Sequence, residues 1–127
     1  MNTNSTNKNT NSNSNLIIYQ KYLELVYYTN DLVRKYPKSE TFALVKEIKG
    51  ALYSGLRLLM YAIKSYKVQD KLKHLSELDI QLDLMKVYIR LSHKYKYIST
   101  QNYNAWSTIL TNICNMLGGW IQSCQKR

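Results

Sequence analysis

Proline and glycine are rare in this chain: one Pro and four Gly in 127 residues, too few for the turns of a β-sandwich or barrel. Cysteine is nearly absent. Cys114 and Cys124 lie ten residues apart on one expected helix. That is roughly 15 Å of rise, beyond the ~7 Å between Cα atoms that a disulfide tolerates. With no internal bridge and no paired zinc-ligand spacing, the expected compartment is reducing, hence cytoplasmic. Histidine is as scarce. His74 and His93 stand beside no cysteine and no carboxylate pair at ligand spacing, and the Glu-x-x-His of a di-iron bundle is missing. There is no glycine-rich phosphate loop, nucleophile elbow or H-E-x-x-H. Asp79 and Asp83, four apart on one helix, suit a helix-dipole or salt-bridge role better than acid–base work. The sequence therefore assigns no enzyme activity, no metal and no cofactor. Long apolar runs are lacking too. No apolar leader opens the chain. The longest uncharged stretch, Tyr97 to Gln125, carries Gln101, Asn102, Asn104, Asn112, Asn115 and Gln122, too polar to span a bilayer.

Acid is the last scarcity. Eight Asp and Glu face 18 Lys and Arg, a net charge of +10. A field of that size attracts polyanions, with nucleic acid the first candidate and an anionic membrane surface the second. The membrane is the weaker of the two, because the bases adjoin a core stripe that a bundle already buries. Charge that serves only solubility is the plain alternative.

What is present reads as an all-α domain. Residues 1–15 are almost entirely Asn, Ser and Thr, which bury too little apolar surface to offset ordering entropy, so they are expected to be a disordered tail. Residues 16–127 then form the expected bundle domain. Its first helix runs from about Leu16 to Lys35, with Tyr19, Leu23, Val26, Asn30 and Val33 at helical spacing. Pro37 ends it, and Ser39 is placed as N-cap of a second helix from about Glu40 to Tyr66. There Val45, Ile48, Leu52, Gly55, Leu59, Ile63 and Tyr66 form one stripe, widened by Leu44, Ala51, Leu58 and Ala62. A face this broad predicts contact with more than one neighbour. The third helix runs from Val68 or Asp70 to Tyr95, with Leu75, Leu78, Leu82, Met85 and Ile89 inward. The fourth opens at Ser99 or Thr100 and carries Tyr103, Trp106, Leu110, Ile113, Leu117 and Trp120. Short loops make the expected fold an antiparallel, up-down-up-down four-helix bundle.

The candidate site is basic. Lys46, Lys49, Tyr53, Arg57, Lys64 and Lys67 share one sector of the second helix, with no acid among them. Lys and Arg displace counterions from phosphates, and a tyrosine can stack on a base. Lys86, Arg90 and Lys94 step by four along the third helix, although charge that suits a helix C-terminus accounts for much of that row. Lys64, Lys67, Lys71 and Lys73 surround the second turn and Arg34, Lys35 and Lys38 the first. The fourth helix has no charged residue before Lys126, which suits a partly buried position and a subunit contact. Gly118-Gly119 lies inside it, yet Ile113, Leu117, Trp120 and Cys124 keep helical spacing through the pair. The helix is expected to continue to about Ser123, the glycines giving close approach to a neighbour. Leu44, Ala51, Leu58, Gly118, Gly119 and Trp120 are thus the expected oligomer interface.

The stretch "LVRKYPKSETFALVKEIKGALYSGLRLLMYA", 32–62, resembles the first turn and second helix of small bacterial four-helix-bundle proteins, through Lys35, Tyr36, Pro37, Lys38, Ser39, Glu40 and Phe42. Two related branches share this pattern: proteins encoded in intervening sequences of ribosomal RNA genes, and the accessory variability determinant (Avd) of diversity-generating retroelements. "ELDIQLDLMKVYIRLSHKYKYIS", "STQNYNAWSTIL" and "MLGGWIQS" are similar to the later helices of the Avd branch. The resemblance spans roughly residues 19–123 and departs at the Asn-rich tail. It implies a non-catalytic, pentameric, basic ring that binds nucleic acid and the element's reverse transcriptase during mutagenic retrohoming. The intervening-sequence branch and a plain protein-interaction module remain the alternatives.

Overall fold

A computed structural model gives the backbone of residues 2–126 and the side-chain surroundings of residues 13–126. Four α-helices follow in order: α1 (Asn2–Val33), α2 (Leu44–Lys64), α3 (Val68–Lys94) and α4 (Thr100–Gln125), with a 3-10 turn at Lys38–Glu40. Most of the expected Asn-rich tail lies outside the residues whose surroundings are described. Each helix packs against two others, in the ring order α1, α2, α3, α4 and back to α1. Connections of three residues after α2 and five after α3 leave no room for a crossover, so the helices run up and down.

The core is one layer of side chains between the four helices. Val45, Ile48, Ala51, Leu52, Gly55, Leu59 and Ala62 of α2 are buried, as are Leu75, Leu78, Leu82, Met85 and Ile89 of α3. These two helices follow the sequence pattern almost residue for residue. On α4, Trp106, Leu110, Ile113, Leu117 and Cys124 are buried, and Tyr103 and Trp120 are half-buried. Ser99 is its N-cap, Oγ accepting the Asn102 N–H at 3.0 Å. The helix passes through Gly118-Gly119 unbroken.

Three expectations need correction. The inward row of α1 is Ile18, Tyr22, Leu25, Val26, Thr29 and Val33, whereas Tyr19, Leu23 and Asn30 are half-buried. The row is turned by about one residue because two polar side chains take core positions. The Tyr22 hydroxyl donates to the Leu52 carbonyl at 2.6 Å, and the Trp106 indole N–H donates to Thr29 Oγ1 at 2.9 Å. A buried polar group with a partner is tolerated where an unpaired one is not. Second, α2 begins at Leu44 and Ser39 does not cap it. Pro37 opens the 3-10 turn instead, and the Glu40 carboxylate accepts the Leu44 N–H through Oε1 at 3.2 Å. Third, Tyr66 is 99% exposed. Ser65 turns extended and α2 stops one residue earlier, so the apolar stripe never reaches Tyr66.

The first and third turns lie together at one end. Tyr97 donates to Glu40 Oε2 at 2.7 Å, and its ring is 5.3 Å from that of Tyr36. Burial pushes the Tyr36 phenol up to about 12. The Trp106–Thr29 bond gives a direct test of the α1–α4 seam. Thr29→Val keeps the shape and strands the indole N–H in the core, and is expected to cost about 1–3 kcal/mol in urea unfolding. Thr29→Ser should recover part of that, whereas equal losses for both variants would assign the cost to packing instead.

Candidate nucleic-acid interface

The basic row of α2 is built by helical repeat alone. Lys46, Lys49, Tyr53, Arg57 and Lys64 recur on the flank beside the buried stripe, and all are exposed, as is Lys67 in the following turn. From Lys46 to Lys64 the helix rises ~27 Å, long enough for several backbone phosphates. The row faces the α1 side. Tyr53 lies on that seam, its hydroxyl accepting the Asn30 side-chain amide N–H at 2.9 Å. Glu47, the acid of this helix, projects to the α3 side, where it reinforces the upward shift that burial imposes on the Tyr88 phenol.

The row is electrostatically open. Ion pairs among the described residues join Lys21 to Glu24, Arg34 to Asp31 and Lys86 to Asp83, each at helical spacing. Lys46, Lys49, Arg57, Lys64, Lys67, Arg90 and Lys94 have no such partner among them. Sequence reading missed Tyr61, exposed at the edge of the row four residues after Arg57, its ring 5.4 Å from His74. Its step of four from Arg57, toward the α3 side of the row, was the available signal.

The candidate residues do not form one surface. Lys86 and Arg90 border a depression between α3 and α4, together with Tyr103, Ser107 and Thr111. In the ring order the α1–α2 and α3–α4 seams lie on opposite sides of the bundle, so the two basic rows are separated by the core. Lys94 lies at the end with the first and third turns, Lys64 and Lys67 at the other. Cys114 lies beside Lys86. Burial pushes its thiol up against the pull of that ammonium, so it is a poor nucleophile at neutral pH.

The expected interface residues are also dispersed. Ala51 is only 5% exposed, inside the protomer, while Leu44 and Leu58 are half-buried on α2. A Cβ on Gly118 or Gly119 would meet nothing within 4 Å, so neither glycine is required by packing within the chain. Gly119 and Trp120 border a cleft of about 400 Å³ with Ile18, Val68 and Met116. Among the described residues no helix is long and apolar enough to cross a membrane, and no cluster of His, Cys, Asp or Glu is placed to hold a metal ion.

The bAvd-like family matches residues 16–124. The chain belongs to that family. That family is one of accessory variability determinants of the diversity-generating retroelement type. A crystal structure of a protein of unknown function from the S23 ribosomal protein family of Bacteroides thetaiotaomicron has the same fold. Its TM-score is 0.77 at 18% identity, over 86% of this bAvd-like chain and 98% of that one. At that identity the likeness speaks for the fold alone. No curated protein matches the chain.

Proposed function

We propose that this bAvd-like protein is a basic, homo-oligomeric, cytoplasmic scaffold that holds RNA or DNA beside the reverse transcriptase of its element during mutagenic retrohoming. The observation that carries this reading is the exposed row Lys46, Lys49, Arg57 and Lys64, with Tyr53 between them and no ion pair among the described residues. Side chains of that kind supply phosphate contacts and counterion release, with stacking but little base readout. The protein would therefore position a strand rather than select a sequence, which suits an accessory factor whose partner does the copying.

Fluorescence anisotropy with a single-stranded RNA across a salt series tests this. Each phosphate contact adds about 0.7 to the slope of log affinity against log salt, so four to six contacts predict a slope of about −3 to −4. A flat response, or no binding to RNA or DNA at low salt, overturns the proposal.

Assembly is part of the same reading. Leu44 and Leu58 lie on α2, and Gly118, Gly119 and Trp120 lie on α4, two helices that do not touch within the bundle. Two different patches on one protomer suit a head-to-tail contact that closes into a ring, the pentamer of the family resemblance. Gly118→Leu tests it by native mass spectrometry. Within the protomer a Cβ at this exposed position meets nothing within 4 Å, and leucine should add up to about 1 kcal/mol of helix stability. The expected result is a smaller assembly from a protomer at least as stable. An unchanged native mass removes Gly118 from the interface.

A further inference from the structure

The depression between α3 and α4 has a chemistry of its own. On α3, Lys86 and Arg90 are four residues apart; on α4, Tyr103, Ser107 and Thr111 repeat the same step. Side chains at that spacing stand in a row on one helix face. A cationic row thus faces a hydroxyl row across the seam, around a space of about 120 Å³ floored by Ile89 and Leu110. The floor is part of the core, with both residues almost fully buried.

The lining is largely preorganised. The His93 ring stacks on Tyr103 with centroids 4.5 Å apart and planes 19° apart, and His93 Nε2 lies 3.0 Å from Thr100 Oγ1. One face of the Tyr103 ring is therefore held by His93. Arg90 has no ion pair among the described residues, and none of the three hydroxyls is hydrogen-bonded to another group among them. Lys86 is partly engaged by Asp83 at 3.4 Å, at the edge of the depression.

We propose that this cleft is a phosphate-binding subsite, with the Arg90 guanidinium as anchor, the Tyr103, Ser107 and Thr111 hydroxyls as further donors, and Lys86 recruited from Asp83. A guanidinium fork takes two oxygens of a phosphate at once, and hydroxyls above an apolar floor donate to the rest. A phosphate group fits the volume, and the guanidinium and hydroxyl donors of the lining match its oxygens. As a station for a backbone phosphodiester the cleft rests on the nucleic-acid reading above. As a site for a free phosphate ion it does not.

NMR titration of the full chain with inorganic phosphate, against chloride at matched ionic strength, reads the cleft directly. The expected result is saturable shifts centred on Arg90, Tyr103, Ser107 and Thr111. A single-stranded thymidine octanucleotide should shift the same residues in addition to the α2 row. Ser107→Ala with Thr111→Val leaves every charge in place, so it should weaken phosphate binding by about ten-fold while leaving the salt slope for the octanucleotide unchanged. Asp83→Asn frees Lys86 and should tighten phosphate binding. Shifts spread over surface lysines without saturation, or a hydroxyl variant that binds phosphate like the parent, overturn the subsite. Loss of octanucleotide binding on neutralising the α2 row, with no effect of the hydroxyl pair on either ligand, also overturns it and leaves the nucleic-acid reading intact. Saturable phosphate binding without octanucleotide binding supports the subsite and removes the nucleic-acid reading.

Discussion

Replacing Lys46, Lys49, Arg57 and Lys64 together by Gln is expected to weaken binding to single-stranded RNA by about 10²–10³ at ~0.1 M salt. The magnitude follows from counterion release. Four lost phosphate contacts flatten the salt slope by about 3, and at ~0.1 M salt each lost contact accounts for roughly 0.7 of a log unit in affinity. The fold should not respond. All four side chains are exposed, and none has an ion pair among the described residues. Surface substitutions of this kind stay within about 0.5 kcal/mol of the parent. The outcome against the proposal is a variant that folds and assembles like the parent and binds RNA with the same affinity and slope. The α2 charge would then serve solubility, and any nucleic-acid binding would have to come from elsewhere on the bundle.

The second large effect is in the core. Gly55→Ala is expected to destabilise the protein by about 1–3 kcal/mol, although alanine is the better helix former by about 1 kcal/mol. A Cβ at position 55 would run into the Tyr22 hydroxyl, and would lie 3.1 Å from Tyr22 Cζ and 3.2 Å from Leu78 Cδ1. The phenol cannot step aside cheaply. It is fully buried and bonded to the Leu52 carbonyl at 2.6 Å, and burial pushes its ionisation far above the ordinary tyrosine range. Removing the hydroxyl should relieve the conflict. Tyr22→Phe alone should cost about 1 kcal/mol, and the double variant should cost clearly less than the sum of the two single changes. Urea unfolding of the four proteins measures that coupling. Strict additivity, or a Gly55→Ala protein as stable as the parent, would mean that Tyr22 does not occupy the space beside Gly55.

These two experiments fall on opposite sides of what can be read without coordinates. The α2 row repeats every three to four residues on a helix whose apolar stripe is continuous, so its placement follows from local geometry. The reason for Gly55 does not. It depends on a tyrosine 33 positions earlier on another helix. The rotation of α1 was hidden for the same cause. Tyr22 and Thr29 fall outside the expected inward row, and their partners, Leu52 and Trp106, lie on other helices. Ser39 looked like a cap because an α-helix was expected to begin at about Glu40. The 3-10 turn moved that role to Glu40, whose other carboxylate oxygen bonds to Tyr97 from the far loop.

By itself the sequence determined the all-α class, the number of bundle helices, the inward faces of α2 and α3, the opening of α4 at Ser99 or Thr100 and the passage of α4 through Gly118-Gly119. Each depends on neighbours within about two helical turns, where 3.6-residue periodicity and capping chemistry act. Only the tertiary structure decided which basic rows share a surface. Helix order puts α1–α2 and α3–α4 on opposite seams, so charges that are adjacent in composition are separated by the core. It also decided that Arg90 meets the hydroxyls of α4, because that meeting depends on the rotation of two helices about their own axes, which burial across the whole bundle sets.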